Sequence, residues 1–196
     1  MTVSDQSIGE FLDAVAAEQV TPSGGAVAAV GGAMGAALCE MTCVHTISGD
    51  ESQAKAELAA VRDTLADRRA ELLALADEDA AAVDAVQAAF GSDDRAGVQA
   101  ALERSTAVPM ETADACLDVV EHAVTVTAAG TPVAVPDAVV GAVLAHAALG
   151  GSVSIVRANL DGIADGAFIA EMEGRADTVE AAGDAALRAV RANATA

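Results

Sequence analysis

Residues 21–43 read TPSGGAVAAVGGAMGAALCEMTC, and the fold turns on what this Gly- and Ala-rich run does. It can cradle a phosphate, cross a membrane, or pack tightly against another helix. A Walker-type phosphate loop ends in Gly-Lys, and no Lys follows these glycines; nor does a strand precede them, as a dinucleotide fingerprint requires. A membrane span needs about 20 predominantly apolar residues, whereas the weakly hydrophobic run from Gly24 to Cys39 is interrupted by Glu40. Close helix packing remains. Gly31 with Gly35, and Gly32 with Ala36, stand four apart on one helix face and form a ridge that a second backbone can approach. The run is therefore read as a buried helix entered through a Gly turn after Pro22. Its ridge faces either another helix of the same subunit or a second subunit.

Working outward, composition supports this reading. A chain of 196 residues is expected to form a single domain spanning 1–196. Hydrophobic residues make up 53% but aromatics only 2%, with no Trp or Tyr, so the core is built mainly from Ala and Val. Thirty Asp and Glu face ten Lys and Arg, a net charge of −20. Such a chain repels nucleic acid and anionic membrane surfaces, so neither is expected as a partner. The carboxylates are spread from Asp5 to Asp184 rather than gathered in a tail, and Lys55 is the one lysine. This pattern points to a halophilic source, where molar salt shortens the Debye length to about 3 Å and screens the self-repulsion. An acidic protein from an ordinary cytoplasm is the alternative. Cys39, Cys43 and Cys116 show no disulfide rhythm, and MTVSDQSIGEFLDAV has no basic stretch ahead of an apolar run. A reducing, cytoplasmic setting is expected.

The remaining pattern is helical throughout. Ser7–Glu10 forms a capping box ahead of Ile8, Phe11, Leu12 and Val15. A long helix is expected from about 51 to 90, a short one near Arg95–Arg104, and another from Pro109 to Gly130. Pro136 opens the next, reaching toward Asn159 with an interruption at Gly150-Gly151, and a last helix starts near Asp165. The stretch TPVAVP is too short and proline-bound for a strand. The expected fold class is all-α, a compact bundle of about six to seven helices.

Three carboxylates sit where apolar residues belong. On the long helix the stripe Leu65, Leu72, Leu75, Val83, Val86, Phe90 lands on Asp79 when its spacing is continued from either side. Burial raises a carboxyl pKa toward the range useful for proton transfer. The competing reading is that Asp79 caps or bonds a neighbouring helix. Asp137 follows Pro136 into a first helical turn, where the helix dipole favours a negative charge. Glu40 lies on a helix that is apolar nearly all round, and either pairs with an Arg or marks a wet end.

Other chemistries find little support. Cys39 and Cys43 share a face, but His45 lies off it and no fourth ligand is evident, so no metal site is expected. His122 and His146 are isolated. Ser23 beside Gly24 does not form a nucleophile elbow.

Five segments in order resemble the formimidoyltetrahydrofolate cyclodeaminase / methenyltetrahydrofolate cyclohydrolase family. FLDAVAAEQVTPSGGAVAAVGGAMGAAL resembles its N-terminal T-P-x-P-G-G-G-S-V-A-A signature, and LLALADEDAAAVDAV its D-x-D-A-x-A-F segment. AVPMETADACLDVVEHA resembles the V-P-L block, VPDAVVGAVLAHAAL the S-D block, and VRANL the I-N-L block. The resemblance implies a helical homodimer with a folate pocket between helices, no separate cofactor, and a formimidoyltransferase elsewhere as one supplier of substrate. In cyclodeamination N10 attacks the formimino carbon and ammonia leaves; in cyclohydrolysis water opens the methenyl bridge. The family's catalytic Asp maps onto Asp77 or Asp79, and the stripe selects Asp79 as general acid/base. Ser23, Gly24 and Gly25 match the Gly-rich turn, Asp137 the S-D block and Asn159 the I-N-L block; all five are expected to bind substrate. Arg157 is the candidate cation for the anionic folate tail.

The chain also departs from the pattern. Its turn reads P-S-G-G-A against P-G-G-G-S, Val83 replaces an aromatic, Ile155 stands where Asn is frequent, and acidic SGDESQAK replaces a Lys-rich segment. These departures keep a second expectation open: a non-catalytic helical dimer of the same family that binds a small molecule or a protein partner.

Overall fold

The computed structural model describes residues 2–47, 53–91 and 93–195. Among them are six α-helices and no strand: α1 Ile8–Val15, α2 Gly24–Ile47, α3 Gln53–Phe90, α4 Arg95–Ala129, α5 Val135–Leu160 and α6 Gly166–Asn193, with a 3₁₀ turn at Val3–Asp5. The all-helical bundle and its long third helix match expectation; the expected start near 51 and the acidic segment 48–52 lie outside the described residues. Helix starts follow local chemistry. Ser7 and Glu10 cap α1 reciprocally, and Asp94 and Asp165 accept the first free amides of α4 and α6.

α2 runs through the centre, packed along α3 and α5. It lies antiparallel to α5: Gly24 meets Ile155 at one end and Thr42 bonds the Ala134 carbonyl at the other. The small-residue ridges bring α2 close to both α5 and α4. A Cβ on Gly35 would stand 2.5 Å from the Gly141 carbonyl oxygen, and one on Gly32 would stand 2.5 Å from Cys116 Sγ. Only residues lacking a side chain permit that approach. α2 and α5 are both long and apolar enough to cross a membrane by length and composition, yet here they pack against each other at the centre of the bundle.

Two expected breaks are absent. The segments expected as separate helices on either side of Pro109 form one helix, α4, with Pro109 buried inside it. Proline cannot donate to the carbonyl four residues earlier, which leaves Ser105 C=O without its helical partner. Asn159 Nδ2, on α5, donates to that oxygen at 2.9 Å. The break is thus repaired from a neighbouring helix, and the helix continues through it. α5 likewise runs through Gly150-Gly151, because buried Leu149, Ser152 and Val153 hold the helix on either side. The stripe on α3 is also shorter than its periodicity: Leu65, Leu72 and Leu75 are buried, but Phe90 is 66% exposed where the helix outruns its partners.

Asn159→Ala should lower stability by about 1–3 kcal/mol, the penalty for stranding a buried acceptor. In a Pro109→Ala background, where a restored amide serves the carbonyl, the loss should shrink. Denaturant unfolding of the four proteins checks this; an equal loss in both backgrounds would dissociate Asn159 from the proline.

Candidate active site

Asp79 is the one carboxylate buried among the described residues, at 4% exposure in a chain with thirty acidic side chains. α3 carries it to the N-terminus of α2. There Oδ2 accepts two bonds, from Ser23 Oγ and from the Ala26 amide, each at 2.9 Å. Gly25 lies directly against the group: a Cβ there would fall 2.0 Å from Oδ1. The Gly turn is therefore a socket for a carboxylate, and the sequence requirement at position 25 follows from contact rather than from turn geometry.

Two opposing effects act on this group. Burial raises its pKa above the ordinary carboxyl value, and the bonds from Ser23 and Ala26 pull it back without cancelling the rise. Asp79 thus both caps a neighbouring helix and retains a raised pKa. The two readings of the sequence describe one arrangement.

Flanking bonds fix the frame. Asp77 Oδ1 accepts from the Val3 amide at 2.8 Å and Asp84 Oδ1 from Thr21 Oγ1 at 3.3 Å. The N-terminal segment is therefore tied to α3 on both sides of Asp79. Of the two carboxylates in the D-x-D pattern, Asp77 is half-buried and holds backbone, while Asp79 is enclosed. Ile155 lies over Gly24, its Cδ1 3.5 Å from the place a Cβ would occupy.

Beside this cluster runs an apolar groove of about 480 Å³, lined by Val3, Phe11, Val27, Met34, Arg69 and Leu73 among others. That volume falls within the range of small-molecule sites. Asp79 is not on its wall. The connection is through Val27, next to Ala26, and Val3, bonded to Asp77.

The expected site residues separate into two groups. Ser23, Gly24, Gly25 and Asp79 come together. Asp137 is exposed in the first turn of α5; it precedes Ile155 by 18 residues, roughly 27 Å along the helix at 1.5 Å per residue. Within one chain it does not reach the turn. Asn159 commits its amide to the Ser105 carbonyl. Arg157 pairs with Asp177 at 2.9 Å and Glu180 at 2.7 Å on α6. Glu40 pairs with Arg69 at 2.9 Å, which settles its position as an ion pair. Arg69 was not singled out by sequence, although it stands on the same face as Leu72, Leu73, Ala76 and Asp79. A cation on an apolar stripe was the available signal.

Cys39, Cys43 and Cys116 are buried free thiols, pushed by desolvation to about 12, 11 and 12. Among the described residues no three His, Cys, Asp or Glu side chains group as metal ligands.

A raised carboxyl pKa carries a stability consequence with a definite sign. Asp79 contributes stability that is complete below the ordinary Asp range and lost as pH rises through its raised native value. The stability of Asp79→Asn relative to the unsubstituted protein should therefore increase with pH from the ordinary carboxyl range up to the raised native value of Asp79, and be constant on either side. Thermal unfolding of both at several pH values in molar KCl provides the test; parallel curves would mean the carboxylate is not penalised by burial.

Comparisons with known proteins place this geometry. A family profile described as formiminotransferase-cyclodeaminase matches residues 7–178. The chain is 34% identical over 177 residues to a methenyltetrahydrofolate cyclohydrolase of Methylorubrum extorquens, covering 85% of each. It also superposes on the crystal structure of formiminotetrahydrofolate cyclodeaminase from Thermotoga maritima with a TM-score of 0.94, at 28% identity and 98% coverage of both chains. A helical bundle matched across nearly its whole length, and a family profile spanning both the Gly turn and the carboxylate that fills it, lead to one conclusion: this chain belongs to the formiminotransferase-cyclodeaminase family.

Proposed function

We propose that the protein transforms the one-carbon bridge between N5 and N10 of a tetrahydrofolate derivative, with Asp79 as general acid/base. The observation that carries this reading is a single buried carboxylate of raised pKa, held against a bare glycine turn beside an apolar groove. Hydrolysis of the 5,10-methenyl bridge is placed first, because the 34% identical relative bears that name over 85% of both chains; cyclodeamination of the formimino group is the second activity. In hydrolysis the carboxylate takes a proton from the attacking water as the tetrahedral carbon forms. It then returns that proton to N5 as the N5–C bond breaks, and the hydroxyl on the tetrahedral carbon gives up its own proton to solvent as the formyl C=O forms on N10. In cyclodeamination the same group removes the N10 proton and delivers one to the departing ammonia. Each reaction needs both protonation states within one turnover, and a pKa lifted toward the working pH suits that. For the formimino substrate, a separate formimidoyltransferase is the source.

The groove between the N-terminal segment, α2 and α3 suits the flat apolar body of a folate, and Arg69 replaces Arg157 as the cation for its anionic tail. Arg157 is held to α6 by two carboxylates and is not among the residues lining the groove, whereas Arg69 lines it with Glu40 as its ion-pair partner. Loss of methenyl absorbance follows turnover directly. Asp79→Asn should reduce kcat by about 10²–10⁴-fold, the usual range for a general acid/base. Equal rates would remove Asp79 from the mechanism. Tight folate binding without turnover in the unsubstituted protein would favour the non-catalytic alternative.

A homodimer formed through the exposed faces of α2 and α5 belongs to the same proposal. Val27, Met34, Val44, Val140 and Val143 are exposed there, and α5 carries no Asp, Glu, Lys or Arg between Asp137 and Arg157. In so acidic a chain, a charge-free strip is where two copies meet without repulsion. We further take the protein to be cytoplasmic and adapted to high salt. Sedimentation in molar KCl without detergent should show a dimer, and Val140→Asp with Val143→Asp should yield monomer; a monomeric unsubstituted protein would overturn this interface.

A further inference from the structure

We propose that Ser23 is the positioning residue of Asp79, holding Oδ2 so that Oδ1 is the oxygen that carries and transfers the proton. The inference rests on the reading of Asp79 as acid/base and deepens it. Both bonds to the carboxyl group fall on one oxygen: Ser23 Oγ and the Ala26 amide each reach Oδ2 at 2.9 Å. An oxygen that accepts two donors behaves as the carbonyl-like member of a carboxyl group. The proton is thereby directed to the other oxygen. Oδ1 faces Gly25, whose missing side chain is what leaves room for it, since a Cβ would stand 2.0 Å away. The carboxyl group therefore has an anchored oxygen and a working one, assigned by position.

The arrangement also explains the altered turn. Where the family pattern ends P-G-G-G-S, this chain reads P-S-G-G-A, so the hydroxyl stands at position 23 and position 26 is Ala. Position 26 still contributes its amide to Oδ2, and the side-chain donor arrives from three residues earlier. Ser23 precedes the first residue of α2, and its own carbonyl accepts the Val27 amide at 3.1 Å, so its backbone is fixed by the first turn of that helix. A short side chain on a fixed backbone places its hydroxyl with little freedom to lose. In this chain the hydroxyl that meets the carboxylate stands at the start of the turn, and the amide that meets it stands three residues later.

Removing the donor takes away one of the two bonds that favour the ionised carboxyl group, so the titration of Asp79 should move upward. The test compares Ser23→Ala, Ser23→Thr, Asp79→Asn and Ser23→Ala/Ala26→Ser with the unsubstituted protein. The readouts are methenyl turnover against pH and carbon NMR of the Asp79 carboxyl group. Ser23→Ala should lower kcat about 10-fold with KM unchanged, shift the acidic limb of the pH–rate profile upward, and raise the NMR midpoint. Ser23→Thr and the double substitution, which returns a hydroxyl to the turn, should restore both. Two results would overturn the positioning role. One is a Ser23→Ala profile superimposed on the unsubstituted one while Asp79→Asn abolishes turnover, which leaves the acid/base reading intact. The other is an NMR midpoint that moves with no change in rate, which makes the contact merely structural. Unchanged turnover in Asp79→Asn would sink the acid/base reading, and this inference with it.

Discussion

The contact between the Asp79 carboxylate and the turn Ser23–Ala26 ties together the candidate site. It joins the middle of the longest helix to the start of the central one, through one oxygen and two donors. A carboxylate without a partner at that depth would be costly. Here it caps a helix whose first amides would otherwise be unserved, so each side removes a penalty from the other. What is left over is a carboxyl group stabilised enough to be tolerated and enclosed enough to hold its proton above the ordinary range. The same contact accounts for the bare glycine at position 25 and for the hydroxyl at position 23.

Around that contact the bundle is held by closeness rather than bulk. With almost no aromatic residues, its helices gain van der Waals contact by bringing backbones together, as where Gly35 meets Gly141. The few cations are placed between helices: Arg69 ties α3 to α2, Arg68 and Arg104 tie α3 to α4, Arg157 ties α5 to α6, and Arg175 ties α6 to α4. Each such pair on a wet surface contributes little, about 0–1 kcal/mol. Their distribution still matters in a chain with three acids per base, because every clip also removes a repulsion.

Much of the candidate site was legible before the coordinates. Asp79 announced itself by breaking an apolar stripe, and the Gly turn by its composition. Arg69 was legible too, since it breaks the same stripe with a positive charge ten residues earlier, but a charged residue that can snorkel is an ordinary sight on a helix. Asp137 and Asn159 matched family blocks in sequence, and Arg157 was the cation expected for the tail; the fold carries the first away from the turn and engages the other two with partners of their own. One lies at the far end of α5, one serves a proline-stranded carbonyl, and one is held by two carboxylates.

The chain by itself determined that its elements are helices, where most of them start, and that α2 needs a close neighbour. Those properties follow from residues within a few positions of one another: capping pairs, apolar period and small-residue spacing. Tertiary structure alone decided that α4 continues through Pro109, because the donor that repairs the break comes from Asn159, fifty residues away. It alone decided which carboxylate oxygen is anchored, since the two donors come from a turn 53 to 56 residues before Asp79. Local pattern places a side chain on a face; only the folded chain supplies the atoms that meet it there.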